Sequence, residues 1–371
     1  MNKPTKHVVS VSGGKDSLAT LLIALERCPR EDVIPIFCDT GNEHADTYAY
    51  LDYMETVLGV KITRLKADFT EQLWAKRMFI ARDQRTRREY DTKPVFEADG
   101  VTPVPKRDGR GAIVLNKKGK PVQKTVKVGG GQLVRWSNKA KRRALAVMYP
   151  SGNHFLDLCM WKGRFPSRKA QFCTEELKTN MAVAFQLDLM DAGNNVISWQ
   201  GVRRDESQNR RNATKFERVG RGLRICRPIA FWTAQQVFEF TASRGIKPNP
   251  LYLQGMGRVG CMPCINASKP ELRAIAMRFP EHPQRISEWE TLVGMCSKRG
   301  VSTFFSDAHQ AQDRREVFAD LNIWARIEWS KTTRGGKQFD LLADDAEQSA
   351  GCASSYGLCE QWSDLTMWEA A

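Results

Sequence analysis

The feature that most constrains this chain is a short loop near its start. The β-rich run His7-Val8-Val9-Ser10-Val11 is followed by Ser12-Gly13-Gly14-Lys15-Asp16-Ser17, and Leu18 to Arg27 then carry apolar residues at helical spacing. Two glycines let the backbone turn tightly and approach a ligand with no Cβ in the way. The helix that follows presents unpaired N–H groups and a partial positive charge. A strand, a glycine turn and a helix N-terminus together make an anion site suited to pyrophosphate. Lys15 adds a cation, and Ser12 and Ser17 add hydroxyls. The spacing is not that of a Walker A loop, since Lys15 is followed by Asp16 and the four-residue gap is missing. Nor is it GxGxxG, which argues against a nicotinamide cofactor.

The same alternation continues. Val33-Ile34-Pro35-Ile36-Phe37 reads as a second buried strand, with Pro35 an oddity in a sheet interior. Ala45 to Leu58 reads as a helix and Val60 to Leu65 as a third strand. This βαβαβ rhythm predicts an α/β, Rossmann-like parallel sheet with helices on both faces. The rhythm breaks at Lys76 to Arg88, a basic helical stretch. Residues 94–134 carry turn signals at Asp99-Gly100, Asp108-Gly109 and Asn116-Lys117-Lys118-Gly119, which predict a basic β-rich insert. Trp136 to Met148 returns to helix. Thr174 to Met190 is a predicted helix, Asn195 to Trp199 a buried strand, Thr233 to Ser243 a helix capped by Thr233, and Pro270 to Phe279 a helix opened by proline. The reading gives a discontinuous nucleotide-binding domain at 1–75 and 151–250, an insert at 76–150, and a Cys-rich region at 251–371.

Charge is concentrated. Residues 76–150 hold 20 Lys/Arg against 6 Asp/Glu, nearly all of the net +15. That points to a polyanionic partner, with DNA or RNA foremost. Trp74, Tyr90 and Trp136 are aromatic side chains available for base stacking, although core packing is the commoner fate. No apolar run approaches the roughly 18 residues of a bilayer span. The polar start runs straight into a strand, so no signal peptide is expected and the cytoplasm is the expected compartment. Ten cysteines in such a chain suggest metal or redox roles over a disulfide framework. Cys261-Met262-Pro263-Cys264 is one loop-borne pair and Cys352 with Cys359 a second. Four thiolates of this kind suit a [4Fe–4S] cluster or Zn²⁺. Cys173, just before a predicted helix, competes for a ligand position or for a reactive-thiol role with a lowered pKa. His44, His154, His282 and His309 show no ligand spacing.

Four segments carry a family resemblance. Ser12 to Ser17 resembles the PP-loop of the ATP pyrophosphatase superfamily. Asp39-Thr40-Gly41-Asn42-Glu43 resembles the DTGxE stretch of its phosphoadenosine phosphosulfate (PAPS) reductase branch. Gly201-Val202-Arg203-Arg204-Asp205-Glu206-Ser207 with Arg210 resembles GxRxxES…R, and Phe172-Cys173-Thr174-Glu175-Glu176-Leu177-Lys178 matches a further family pattern. The resemblance implies an adenine nucleotide alpha hydrolase-like fold that binds ATP or a PAPS-like nucleotide with Mg²⁺. It places Ser12, Gly13, Gly14, Lys15, Asp16 and Ser17 on phosphate, and Asp39, Thr40, Glu43 and Gly201 along the nucleotide. Arg203 and Arg210 would be phosphate or sulfate clamps. Lys15, Asp16, Arg203 and Cys173 would serve catalysis.

The chain departs from PAPS-acting reductases in lacking a terminal Glu-Cys-Gly-Leu/Ile-His segment, and from assimilatory members with a cluster in having no Cys-Cys pair. This favours cleavage of the α–β phosphate bond to adenylate an acceptor for sulfur transfer, on nucleic acid where the insert holds it, with a sulfur donor or redox protein as further partner. Reduction of PAPS is the alternative. A nucleotide-dependent nucleic-acid-binding module without turnover is the third reading.

Overall fold

The computed structural model describes residues 3–116, 118–305 and 314–332. Two compact units divide the chain: Ala75–Ala146, and the remainder on either side of it. In chain order the elements are β1 (Thr5–Val11), α1 (Lys15–Arg27), β2 (Val33–Asp39), α2 (Ala45–Leu58), β3 (Thr63–Lys66), α3 (Thr70–Ala81), β4 (Arg88–Pro94), β5 (Thr125–Leu133), α4 (Asn138–Val147), α5 (His154–Lys162), α6 (Phe172–Thr174), α7 (Asn180–Asp191), β6 (Asn195–Trp199), β7 (Phe216–Gly220), β8 (Leu223–Cys226), α8 (Ala234–Ala242), α9 (Pro250–Leu253), α10 (Lys269–Arg278), α11 (Glu281–Cys296), α12 (Arg314–Leu321) and α13 (Ile323–Ser330).

The larger unit is built on one six-stranded sheet of order β3-β2-β1-β6-β8-β7. Its first five strands are parallel and β7 runs antiparallel to β8 at the edge. Val8 and Val9 on β1 are both fully buried, because helices cover both faces. Val9 and Val11 pack with Leu18, Leu21 and Leu22 of α1 and with Leu51 and Met54 of α2. Val8, Ile36 and Val196 face the other way, against Phe185 and Leu189 of α7. Each such aliphatic side chain contributes roughly 1.5–3 kcal/mol on burial. Pro35 fits its interior strand because it pairs with Val9 of β1, while pairing with β3 begins only at Ile36.

The helix expected at 174–190 forms as α6, a π-helical turn at Glu175–Thr179, and α7. The Thr233 cap is a full capping box with Gln236, and Ser268 forms another with Glu271 ahead of Pro270. The basic stretch expected as a helix to Arg88 stops at Ala81 instead. Asp83 stops it by turning its carboxylate onto the amides of Arg85 and Trp136, at 3.2 and 2.8 Å. Arg85 returns 2.9 Å to Asp83 and 2.6 Å to the Val134 carbonyl, clasping the two ends of the insert.

Beyond that clasp, residues 88–133 of the unit Ala75–Ala146 form a β arm. β4 pairs with β5 antiparallel, and the pairing continues through bridges at Phe96–Pro103, Pro105–Gln123, Arg107–Ile113 and Leu115–Pro121. Val95, Val104 and Lys124 donate amide hydrogen bonds around a ring of three chains, and Lys106, Val114 and Val122 repeat it. The sequence turn signals are its corners. Asp99 accepts from the amides of Val101 and Thr102 at 2.9 Å, Asp108 from Arg110 and Ala112 at 2.9 Å, and Asn116 from Lys118 at 2.9 Å.

Candidate nucleotide site

The loop Ser12–Ser17 lies at the carboxyl end of β1, where the chain order reverses. β2 and β3 lie to one side of β1 and β6 to the other. Ligands in open α/β sheets bind in the crevice at such a switch point. The two loops flanking it are the glycine turn after β1 and residues 200–207 after β6, and they touch. A Cβ on Gly201 would lie 2.7 Å from the Asp16 carbonyl oxygen, so only glycine lets the loops approach. Gly13 takes φ +71°, with a hypothetical Cβ 2.9 Å from Thr47. Gly14 is the N-cap of α1 and gives no side-chain cap. Ser17 Oγ instead donates to the Gly14 carbonyl at 2.9 Å and accepts from the Ser12 amide at 3.1 Å.

Two residues that sequence reasoning passed over brace this loop from behind. Asn249 Nδ2 donates to the Gly13 carbonyl at 3.1 Å, and the Tyr252 hydroxyl accepts from the Lys15 amide at 3.1 Å. Both are buried. Their signal in the sequence was Asn249-Pro250, an N-cap followed by proline at the first helical position, which opens α9.

Around the loop the charges converge. Lys15 Nζ lies 3.0 Å from Asp16 Oδ2 and near the rings of Phe238 and Tyr252. Arg203 is 4% exposed and its guanidinium bridges Asp16, at 2.5 Å, to Asp205. Arg210 pairs with Glu206. Burial holds the Arg210 guanidinium below its ordinary pKa, and the like charges of Arg258 and Arg203 push the same way against Asp16. Arg203 and Arg258 thus crowd Arg210 beside one carboxylate, Asp16, a local excess of positive charge. Arg258, from the Cys loop, was not singled out in the sequence.

The end of β2 is differently disposed. Asp39 is 3% exposed. It accepts from the Tyr48 hydroxyl at 2.7 Å and the Gly41 amide at 2.9 Å, with Lys66 and His154 each 3.3 Å away. Burial pushes its carboxyl up, but His154, Tyr48 and Gly41 outweigh burial and hold it well below the usual carboxylate range. Glu43 accepts from the Thr40 amide at 3.2 Å, the Thr40 hydroxyl at 2.7 Å and the Asn42 amide at 3.3 Å. Thr40 and Glu43 thus spend their polar atoms on their own turn, and that turn holds the Cys loop. Cys261 bridges Glu43 and lies 3.3 Å from the Thr40 hydroxyl, Met262 donates its amide to the Asn42 carbonyl, and Asn42 donates to the Pro263 carbonyl.

Cys261 and Cys264 meet Cys173 around Lys178. The ammonium of Lys178 is raised above its ordinary pKa chiefly by Cys261, against burial, with Glu43, Cys264 and Cys173 adding to it. Burial pushes the Cys261 thiol up to about 12. Burial also raises Cys173, with Cys264 adding to the effect, so the lowered pKa expected from its helix N-terminus is not realised. Helix α6 is only three residues long before the π turn, and desolvation exceeds what its dipole returns. Cys352 and Cys359 lie outside the described residues, as does His309.

Among the described residues, His44, Glu281 and His282 bring ligand atoms within 4.8 Å of one another. Their hydrogen bonds argue against a metal there. Nδ1 of His44 accepts from the Asp46 amide at 3.0 Å, and Nδ1 of His282 lies 2.8 Å from the Arg285 guanidinium. Nδ1 is thus the accepting nitrogen in both rings, which puts the ring proton on Nε2, the atom a metal would need. Burial lowers His282 to about 4, so it stays neutral. Arg285 also donates to Asn42 Oδ1 at 2.8 Å and the Met262 carbonyl at 2.9 Å, which makes this knot a fastener for the Cys loop.

A strand–PP-loop–helix at the switch point of a parallel sheet, with the DTGNE turn beside it, defines an α/β protein of the nucleotide-binding PP-loop class. Residues 6–94 and 134–267 match the family described as the phosphoadenosine phosphosulfate reductase domain, and the chain belongs to that family. It is 42% identical over 367 residues to an uncharacterised 37.8 kDa protein from the gpa 5′ region of Escherichia phage 186, covering 96% of this chain and 97% of that one. It is 36% identical over 76 residues to an adenosine 5′-phosphosulfate reductase of Deinococcus radiodurans, covering 20% of this chain and 29% of the reductase. Among solved structures, the PAPS reductase of Candida auris in its phosphate complex aligns over 70% of this chain and 82% of its own, with TM-score 0.36 and 14% identity. No helix among the described residues is long and apolar enough to cross a membrane.

Proposed function

We propose that the protein binds ATP at the PP-loop and uses it to adenylate an acceptor, which is then open to sulfur transfer. The observation that supports this best is the convergence of Lys15, Arg203, Arg210 and Arg258 on the turn after β1. In the step, the acceptor's nucleophilic atom bonds to the α-phosphorus, the bond from that phosphorus to the bridging oxygen breaks, and pyrophosphate leaves with the electron pair. A sulfur nucleophile from a donor protein then displaces AMP. Loop amides, Lys15 and the arginines would bear the negative charge gathering on pyrophosphate. Mg²⁺ would arrive on the phosphates and keep most of its waters. Asp16 is the carboxylate placed to meet it, being less buried than Asp39.

Cys173, Cys261 and Cys264 are the thiols that would hold a [4Fe–4S] cluster or Zn²⁺, with the fourth ligand drawn from Cys352 or Cys359. The donor set fits, because Lys178 and Arg258 are placed to offset thiolate charge. The burial that keeps Cys173 and Cys261 protonated is what metal binding would overcome. Such a group would supply structural closure of the Cys loop, or redox chemistry if it is a cluster. Anaerobically purified protein is expected to be brown, with visible absorption bleached by oxygen. Colourless protein with stoichiometric zinc would assign the thiols to a structural site.

The test of the main reading is pyrophosphate release from ATP and Mg²⁺, with DNA or RNA as acceptor. Release that requires an acceptor is the expected result. Turnover of PAPS with thioredoxin and none of ATP would replace adenylation by sulfonucleotide reduction. Tight nucleotide binding with neither reaction would leave a binding module.

A further inference from the structure

We infer that the β arm within Ala75–Ala146 is a docking element for double-stranded DNA. This goes beyond the nucleotide reading and does not depend on it. The family match skips residues 95–133, so the arm is an addition to a domain complete without it. Nor does the arm fold around a core of its own: no described residue from 84 to 132 is buried. What it displays is charge. Residues 93–127 hold nine lysines and arginines against three acidic residues. Two of those three, Asp99 and Asp108, are turned onto the backbone of their own corners. Lys93, Lys106, Arg110, Lys118, Lys120 and Lys124 are all exposed. A solvated surface needs no such bias, whereas a phosphate backbone meets it directly.

The form of the arm selects the polyanion. The two-stranded part of the arm, β4 with β5, is the kind of ribbon that the major groove of B-form DNA, about 12 Å wide, admits. The deep, narrow major groove of A-form RNA excludes such an arm. Single strands are held by rows of stacking aromatics. Between residues 84 and 132 the aromatics are Tyr90, under the Lys127 ammonium at 4.7 Å, and Phe96. The clasp at Asp83 and Arg85 fixes the base of the arm, so its charges are presented in a set order.

Fluorescence polarisation of the full chain with a labelled DNA duplex of about 30 base pairs, across a salt series, tests this. The wild type is expected to bind with strong salt dependence, and more tightly than it binds duplex RNA or single-stranded DNA. Combining Lys106→Gln, Arg107→Gln, Lys118→Gln, Lys120→Gln and Lys124→Gln should weaken binding about a hundredfold and flatten the log–log salt slope by about four. Replacing the four lysines by arginine should preserve binding. Nucleotide affinity should hold in both variants, so failure of the DNA assay and failure of the ATP assay are separable. Wild-type affinity in the glutamine variant, or tighter binding of RNA or single strands than of duplex DNA, would overturn the inference.

Discussion

Arg203→Ala is expected to reduce acceptor-dependent pyrophosphate release about a hundredfold or more, the scale of losing a preorganised group that bears transition-state charge. The residue is buried and holds two carboxylates at once, Asp16 and Asp205. Without it, Asp16 keeps the Lys15 ion pair but loses its buried guanidinium partner beside the incoming phosphates. The fold is expected to lose about 3 kcal/mol, as when one member of a buried ion pair is removed. Both partners retain some water, which limits the loss. Arg203→Lys should recover little, because an ammonium cannot bridge two carboxylates as a planar fork does. The decisive measurement is a double-mutant cycle. If Arg203 acts by neutralising Asp16, then Asp16→Asn added to Arg203→Ala should restore nucleotide affinity relative to Arg203→Ala alone. If the double variant binds no better, Arg203 is a direct phosphate clamp. If Arg203→Ala turns over normally, the site lies elsewhere.

That experiment turns on something the sequence could not show. β1, the glycine turn and α1 were legible because a buried strand, two glycines and a helical stripe each leave a local pattern. Arg203 stood out in the sequence as part of GVRRDES, but not as the partner of Asp16. The two are separated by 187 positions, and no periodicity links them. Thr40 and Glu43 were expected along the nucleotide. The structure spends their polar atoms on a turn and on the Cys loop, an outcome set by segments 221 positions apart meeting in space. The braces Asn249 and Tyr252 lie in a Pro/Gly-rich stretch that reads as loop, and Lys178 was only the last residue of FCTEELK. The hairpin of β7 and β8 went unread because Phe216 to Gly220 is exposed on every residue, so no burial pattern marks it as strand. The corners of the β arm were readable because Asx turns are local chemistry. The three-chain ring between them needed Val95, Val104 and Lys124 to meet across many residues.

Glu290 should make the native state less stable as pH rises from about 5 to 8, against the usual carboxylate behaviour. Its side chain is 1% exposed in α11 and accepts from the Phe304 amide at 2.7 Å and the Ile323 amide at 3.0 Å. It thereby ties α11 to the following loop and to the start of α13. Burial raises its pKa to about 7, with those two amides opposing the rise. In the unfolded chain it titrates near the ordinary 4.5. Between those values the native state holds a proton that the unfolded state has released. The unfolded state then binds fewer protons, and stability falls as pH rises. The contribution is complete below the unfolded value and is lost as pH climbs through about 7, amounting to about 3 kcal/mol. Glu290→Gln should remove this slope. It should also cost about 1–3 kcal/mol at pH near 5, because an amide offers one acceptor oxygen where two backbone N–H groups need partners. Glu290→Ala should cost more, with both amides orphaned. Urea unfolding of the wild type and both variants at pH 5 and pH 8 reads the difference directly. If Glu290→Gln keeps the wild-type dependence on pH, the proton is held elsewhere, and Glu290 is an ionised cap whose two hydrogen bonds outweigh its burial.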